Sequence, residues 1–134
     1  MSRFVKKRWN LNASFRADRS DSRLKKEYFD LINSRFLADG IAQSRWPTYI
    51  GELKKLLKPG GWLQMVELEL RFQSDNGRMA NNEGEPLHLW SEEYRRTMQA
   101  HGRDPRVGQR LGRYLQDEGF DNVSCERHLS LIHI

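Results

Sequence analysis

The spacing of apolar residues changes along the chain, and each spacing predicts a different element. Leu11, Ala13, Phe15 and Ala17 alternate with Asn12, Ser14 and Arg16, the period of two expected of a short strand that ends at Asp18. After a loop rich in Arg, Ser and Asp, Tyr28-Phe29-Asp30-Leu31-Ile32-Asn33 reads as a second strand. It is apolar enough to be buried on both faces, which implies helices above and below it. From Trp46 to Leu57 the apolar positions are 46, 49, 50, 53, 56 and 57, the stripe of an amphipathic helix with Pro47 tolerated in its first turn. Lys58-Pro59-Gly60-Gly61 is expected to stop that helix and reverse the chain, and Trp62 to Leu70 to begin a third strand at once. Strand, helix and strand in this order predict a βαβ unit with parallel strands and a right-handed crossover.

Beyond Leu70 the pattern weakens. Gln73 to Pro86 is rich in Asn, Gly, Ser and Glu and reads as a loop of the length at which lids occur. Two helices follow. Trp90, Tyr94, Met98 and His101 share a face of the first, which starts near Trp90 or Ser91. Asp104-Pro105 opens the second, Val107, Leu111, Tyr114 and Leu115 form its buried stripe, and Gly119 ends it in the C′ position. Phe120 to Val123 returns to extended structure. There is no internal repeat and no second domain.

Composition narrows the function classes. With 37% hydrophobic and 31% charged residues and a mean hydropathy of -0.83 over 134 residues, the chain is poor in core-forming material for its length. This suggests a marginal domain or a piece of a larger one. No apolar run approaches the roughly 20 residues of a membrane-spanning helix, and the N-terminus lacks the apolar stretch of a secretory signal. The expected location is the cytoplasm, with the nucleus as the alternative. The net charge of +5 would favour polyanions. However, the Lys and Arg pairs are interleaved with acids, and no aromatic-studded basic stripe supports nucleic-acid binding. A basic interaction module binding nucleic acid or an acidic partner is therefore the alternative reading. The one cysteine, Cys125, excludes an internal disulfide and is expected to be a small buried hydrophobe. His88, His101, His128 and His133 show no metal-ligand spacing. Neither a nucleophile elbow nor a phosphate-binding Walker loop is present.

Phe29-Asp30-Leu31-Ile32, Trp46-Pro47, Leu56-Leu57-Lys58-Pro59-Gly60-Gly61-Trp62-Leu63, Leu87 to Trp90 and Gly119-Phe120-Asp121-Asn122-Val123, in this order, resemble the later half of a class I S-adenosylmethionine-dependent methyltransferase. The flavour is that of the fungal methyltransferases similar to regulators of secondary metabolism. The resemblance covers roughly Asn12 to Val123 and implies an α/β fold: an incomplete Rossmann-like doubly wound sheet made of the family's strands 3, 4, 5 and part of 6, with helices packed on it. It implies S-adenosylmethionine as cofactor, with methyl transfer to an acceptor, a small molecule or a protein, that the sequence does not name. In the family a glycine-rich loop after the first strand cradles the cofactor. Here no glycine precedes Gly40, so the cofactor site is expected to be incomplete and the chain itself inactive. Residues 1–128 then form a partial methyltransferase domain. The closing Leu129-Ser130-Leu131-Ile132-His133-Ile134 resembles a translated sequencing-library adapter, so residues 129–134 are expected to be a non-native tail.

The resemblance also assigns candidate residues. Asp18 matches the acid that accepts from the adenine amine. Asn33, Ser34 and Arg35 leave a strand at the carboxyl edge of the sheet, where backbone carbonyls would face the sulfonium end of the cofactor. Glu67 matches a glutamate at the same edge and is the candidate to orient the acceptor or act as general base. Glu69 shares its strand face, and solvation of both is the plainer reading. Trp46 and Trp90 are expected to pack on the sheet and beneath the lid. No metal site is expected.

Overall fold

The computed structural model describes residues 6, 8–15, 24–69, 71–72 and 85–129. It is a mixed α/β structure whose order is strand β1 (Phe29–Arg35), a short 3-10 turn (Gln43–Arg45), helix α1 (Trp46–Leu56), strand β2 (Leu57–Val66), helix α2 (Pro86–Ala100) and helix α3 (Val107–Asp117). β1 and β2 pair in parallel with α1 between them, as the strand-helix-strand order predicts, and among the described residues they are the whole sheet.

Helix α1 forms where its period demands. Trp46, Tyr49, Ile50, Leu53 and Leu56 are buried along one stripe, and Pro47 sits in the first turn, where its missing N–H breaks no bond. No side chain caps it at either end. At the C-terminus the carbonyls of Lys55 and Leu56, which have no partner inside the helix, accept from the backbone N–H groups of Glu27 and Tyr28 at 3.0 and 2.8 Å. The lead-in to β1 therefore closes α1. Leu57 then turns to extended backbone (ψ 141°), and the strand starts without a loop.

The Pro-Gly-Gly segment behaves differently from expectation. It lies inside β2 as a bulge, not as a turn ahead of it. Phe29 is opposite Leu57 and Leu31 is opposite Trp62, so two steps along β1 face five along β2. The bulge works because of its glycines: Gly60 has φ +78°, and a Cβ on Gly61 would stand 3.0 Å from the Lys58 carbonyl oxygen and 3.1 Å from that of Asp30. β2 also ends earlier than expected, at Val66.

Burial corrects a second expectation. Among the described residues only one face of the sheet is covered. Ile32 and Leu63, with Ser34 and Met65, face α1, whereas the registered neighbours Leu31 and Trp62 lie on the other face and are 59% and 70% exposed. The core sits entirely on the α1 side: Ile41, Trp46, Ile50 and Val107 are fully enclosed, with Phe15, Tyr49, Leu53 and Leu111 around them. Trp46 thus takes its expected core place. The stripe of α3 holds as well, with Val107 and Leu111 buried and Tyr114 and Leu115 packed against the cluster. Gly119, at φ +73°, follows its end as expected.

The alternating segment from Leu11 to Ala17 is not a strand where it is described. Asn10 and Asn12 side chains compete for the backbone, as asparagines do in turns. The Asn12 N–H donates to Asn10 Oδ1 and the Ala13 N–H to the Asn10 carbonyl, both at 3.0 Å. Ala17 and Asp18 lie outside the described residues, as do 73–84 of the expected loop. Ser14 and Phe15 are tied to α1 through Glu52, which accepts from Ser14 Oγ at 2.5 Å, from the Phe15 N–H at 3.2 Å and from Arg45 Nη2 at 2.5 Å. α2 begins a turn earlier than expected, with Pro86 in its first turn. Its packed side chains are Ser91 and Met98, while Trp90 is 49% exposed rather than packed beneath other structure. After Gly119 no strand forms among the described residues, and Cys125 is exposed, its Sγ against Gly112.

Two outcomes follow. A methyl group at Gly61 presses on the Lys58 and Asp30 backbone carbonyls and the Leu57 side chain, which must give by a few tenths of an ångström, so Gly61→Ala should cost about 1–3 kcal/mol. Gly60→Ala meets no neighbour and should cost only the positive-φ strain of roughly 1–2 kcal/mol. Urea unfolding should rank Gly61→Ala as the less stable of the two. For Glu52, burial opposes ionisation, but the bonds from Ser14, Arg45 and the Phe15 N–H outweigh it and hold the carboxyl below its ordinary value of 4.5. The stability this provides is therefore full above the ordinary carboxyl range and is lost as pH falls through the depressed folded value. Denaturation midpoints across that range should fall more steeply for the native chain than for Glu52→Gln.

Candidate functional site

Parallel strands end on the same edge, so the exits of β1 and β2 are neighbours. There Phe36, at φ +53°, turns the chain sharply while its N–H still donates to the Val66 carbonyl at 2.9 Å. The loop that follows, Leu37 to Gly40, is held from several sides. Glu67, the first residue past β2, accepts from the Leu37 N–H through both carboxylate oxygens (2.9 and 3.0 Å) and from the Ala38 N–H at 3.0 Å. Asp39 Oδ1 accepts from the Tyr94 hydroxyl of α2 at 2.8 Å, and the Asp39 carbonyl accepts from Arg103 Nε at 3.0 Å. Asn12 brackets the loop end, donating to the Gly40 carbonyl and accepting from the Ala42 N–H, both at 2.8 Å.

Burial pushes the Glu67 carboxyl above its ordinary value, against the backbone donors of Leu37 and Ala38, with the Asp39 charge adding to the rise. Glu67 therefore acts as a half-buried clamp on the β1 exit. It is not half of an acid pair. Glu69 turns to other partners, accepting from Gln109 Nε2 and lying 3.8 Å from the Arg127 guanidinium. α3 comes down directly on this exit: a Cβ on Gly108 would lie 3.3 Å from the Glu67 carbonyl oxygen. Its approach is set by Asp104, almost fully buried, which accepts from the Arg106 N–H at 3.0 Å and from Arg110 Nη1 at 2.8 Å.

A cavity of about 40 Å3 opens at this junction, lined by Phe36, Ala38, Asp39, Glu67, Leu68, Met98 and Pro105. Beside it on α2, Trp90 stacks on Tyr94 with centroids 5.4 Å apart and planes at 22°, and Phe72 leans on Trp90 at 5.9 Å. A larger and open hollow of about 650 Å3 lies at the opposite end, around Glu27 to Leu31 and Lys58. There Lys58 pairs with Asp30 at 2.7 Å.

The expected site residues do not converge on one point. Asn33 lies on the uncovered face, its Nδ2 donating to Gln64 Oε1 at 2.7 Å, and Arg35 is exposed. Ser34 turns its hydroxyl into the core, 3.2 Å from that of Tyr49, so only its backbone belongs to the edge. Burial pushes the Tyr49 phenol up, against the Ser34 bond. Asp18 lies outside the described residues. Asp39, Tyr94, Asp104 and Asn12 shape the edge without having been expected there. The Asp39-Gly40 pair is the one sequence signal of a tight turn that pointed to it.

Over 95 residues the chain is 28% identical to the N-methyltransferase sirN of Leptosphaeria maculans, a stretch that covers 71% of this chain and 32% of that protein. The chain thus spans about a third of the length of the curated relative it matches. No family model matches it, and no solved structure does. The similarity supports a methyltransferase relationship. Among the described residues no helix is long and apolar enough to cross a membrane, and no group of three or more His, Cys, Asp or Glu is placed to hold a metal.

Removing the clamp tests its role. Glu67→Ala leaves the Leu37 and Ala38 N–H groups without their acceptor and should cost about 1–3 kcal/mol, with amide exchange accelerated first at these two positions.

Proposed function

We propose that the chain forms part of an S-adenosylmethionine-dependent methyltransferase with a doubly wound sheet, acting on a nitrogen acceptor. The observation that carries this reading is the similarity to an N-methyltransferase over a chain whose β1-α1-β2 unit is parallel. In open α/β sheets ligands sit outside the carboxyl ends of the strands, the edge where β1 and β2 both end and where Glu67 holds the β1 exit. The uncovered face bearing Leu31 and Trp62 agrees with a sheet meant to carry helices on both sides.

The cofactor supplies an already electrophilic methyl group, so the protein chiefly has to position the acceptor. These residues fit part of that task. They provide a carboxyl edge with a firmly held loop, but no glycine-rich turn: the first glycine is Gly40, which already follows β1. In this reading the cofactor-cradling turn belongs to sequence outside these residues. Within that frame Glu67 serves by shaping the β1 exit, since its oxygens are engaged by backbone N–H groups.

Calorimetric titration with S-adenosylhomocysteine decides the matter. The 134-residue chain should give no saturable heat, and a longer reading frame containing it should bind. Saturable binding by the short chain would overturn the incomplete site. A longer frame that folds and binds nothing would overturn the methyltransferase reading.

A further inference from the structure

Charge, shape and aromatic surface coincide at one place outside the residues first assigned to the cofactor. The small cavity at the carboxyl edge is lined by two carboxylates, Asp39 and Glu67, with Phe36, Leu68, Met98 and Pro105 as apolar walls. Its volume of about 40 Å3 is far below the roughly 150 Å3 of a cavity that takes a benzene ring, so it suits a small group such as an ammonium or methylammonium head and not a ring. Glu67 is engaged by the loop amides, whereas Asp39 has one oxygen on the Tyr94 hydroxyl and the other without a bonded partner among the described residues. Arg103 bonds the Asp39 backbone carbonyl, and no ion pair to the Asp39 carboxylate is found among the described residues.

The Tyr94 hydroxyl bonded to Asp39 belongs to the ring that stacks on Trp90. An aromatic surface thus starts at the carboxylate and extends along α2. Phe36 and Leu68, at 58% and 53% exposure, line the notch, and Trp90, 49% exposed, lies beyond Tyr94 on α2. A flat apolar group lying on Trp90 while its amino group reaches Asp39 would satisfy both halves, and a cation beside these rings gains further from their negative faces.

We propose that this notch and its aromatic rim form the acceptor-binding surface, and that the acceptor is an arylalkyl amine held with its nitrogen at Asp39 and its ring on Trp90. The assignment rests on the methyltransferase reading for the word acceptor; the binding surface itself stands on the geometry alone.

The test requires no methyl donor, so its failure is distinct from failure of cofactor binding. The 15N-labelled chain is titrated with tryptamine and, separately, with tryptophol, which has the same ring and chain length but a neutral hydroxyl. Saturable shifts are expected at the Ala38 and Asp39 amides and the Trp90 indole with tryptamine, with tryptophol binding at least about fivefold more weakly. Asp39→Asn, which retains an acceptor for Tyr94, and Trp90→Ala should each raise the dissociation constant by a similar factor. Asp117→Asn, exposed at the C-terminal end of α3, should leave it unchanged. Equal affinity for the two probes, an undiminished affinity in Asp39→Asn, shifts centred on Leu31 and Trp62, or no saturable shifts would each overturn the proposal. If Trp90→Ala does not fold, Asp39→Asn and the probe pair still decide it.

Discussion

Two strands that run side by side in the same direction cannot be joined by a turn. The chain must travel back along the full length of the sheet, and here α1 makes that return. Most of the architecture follows from this constraint. The return path covers the face it crosses, so the core collects between α1 and the sheet around Trp46 and Ile50, while Leu31 and Trp62 on the other face stay exposed, with no crossover above them among the described residues. It also brings the ends of β1 and β2 out at one edge. Only that coincidence lets a residue just past β2, Glu67, reach the backbone just past β1.

The edge is consequently held by polar contacts more than by apolar packing. Glu67 fixes the loop through its N–H groups, Tyr94 and Arg103 through Asp39, and Asn12 through Gly40 and Ala42. These four anchors come from three separate parts of the chain. A loop tied in this way keeps its shape when the surrounding water changes, a condition for placing a reacting atom to within a fraction of an ångström. The cost is a half-buried carboxyl whose ionisation is disfavoured by its surroundings.

The elements with a strong repeating period were readable from sequence. The stripe of α1 and that of α3 lie where their spacing put them, because burial of one helical face is a local property of the pattern. What escaped depended on partners distant in sequence. Pro59-Gly60-Gly61 has the composition of a turn, and only the close approach of the Asp30 carbonyl makes it a bulge. The alternation from Leu11 onward has the period of a strand, but Asn10 and Asn12 satisfy the backbone locally instead. The apolar run in β1 implied two covered faces, and one is bare. At the edge, Glu67 was legible as a position but its role was not, since nothing in its sequence neighbourhood announces the Leu37 and Ala38 amides.

The direct passage from α1 into β2 leaves the unit without slack. Leu57 both ends the helix and pairs with Phe29, so helix rotation and strand alignment are geared together. One residue added to α1 would swing its end by about 100° and drive the wrong side chains toward the sheet. The Pro-Gly-Gly bulge is the one stretch between Trp46 and Val66 where extra length is already stored out of register. Among descendants of this sequence, insertions and deletions should therefore gather at the bulge and spare the helix, marking it as the hinge pin about which chain length can vary while both strand ends stay put.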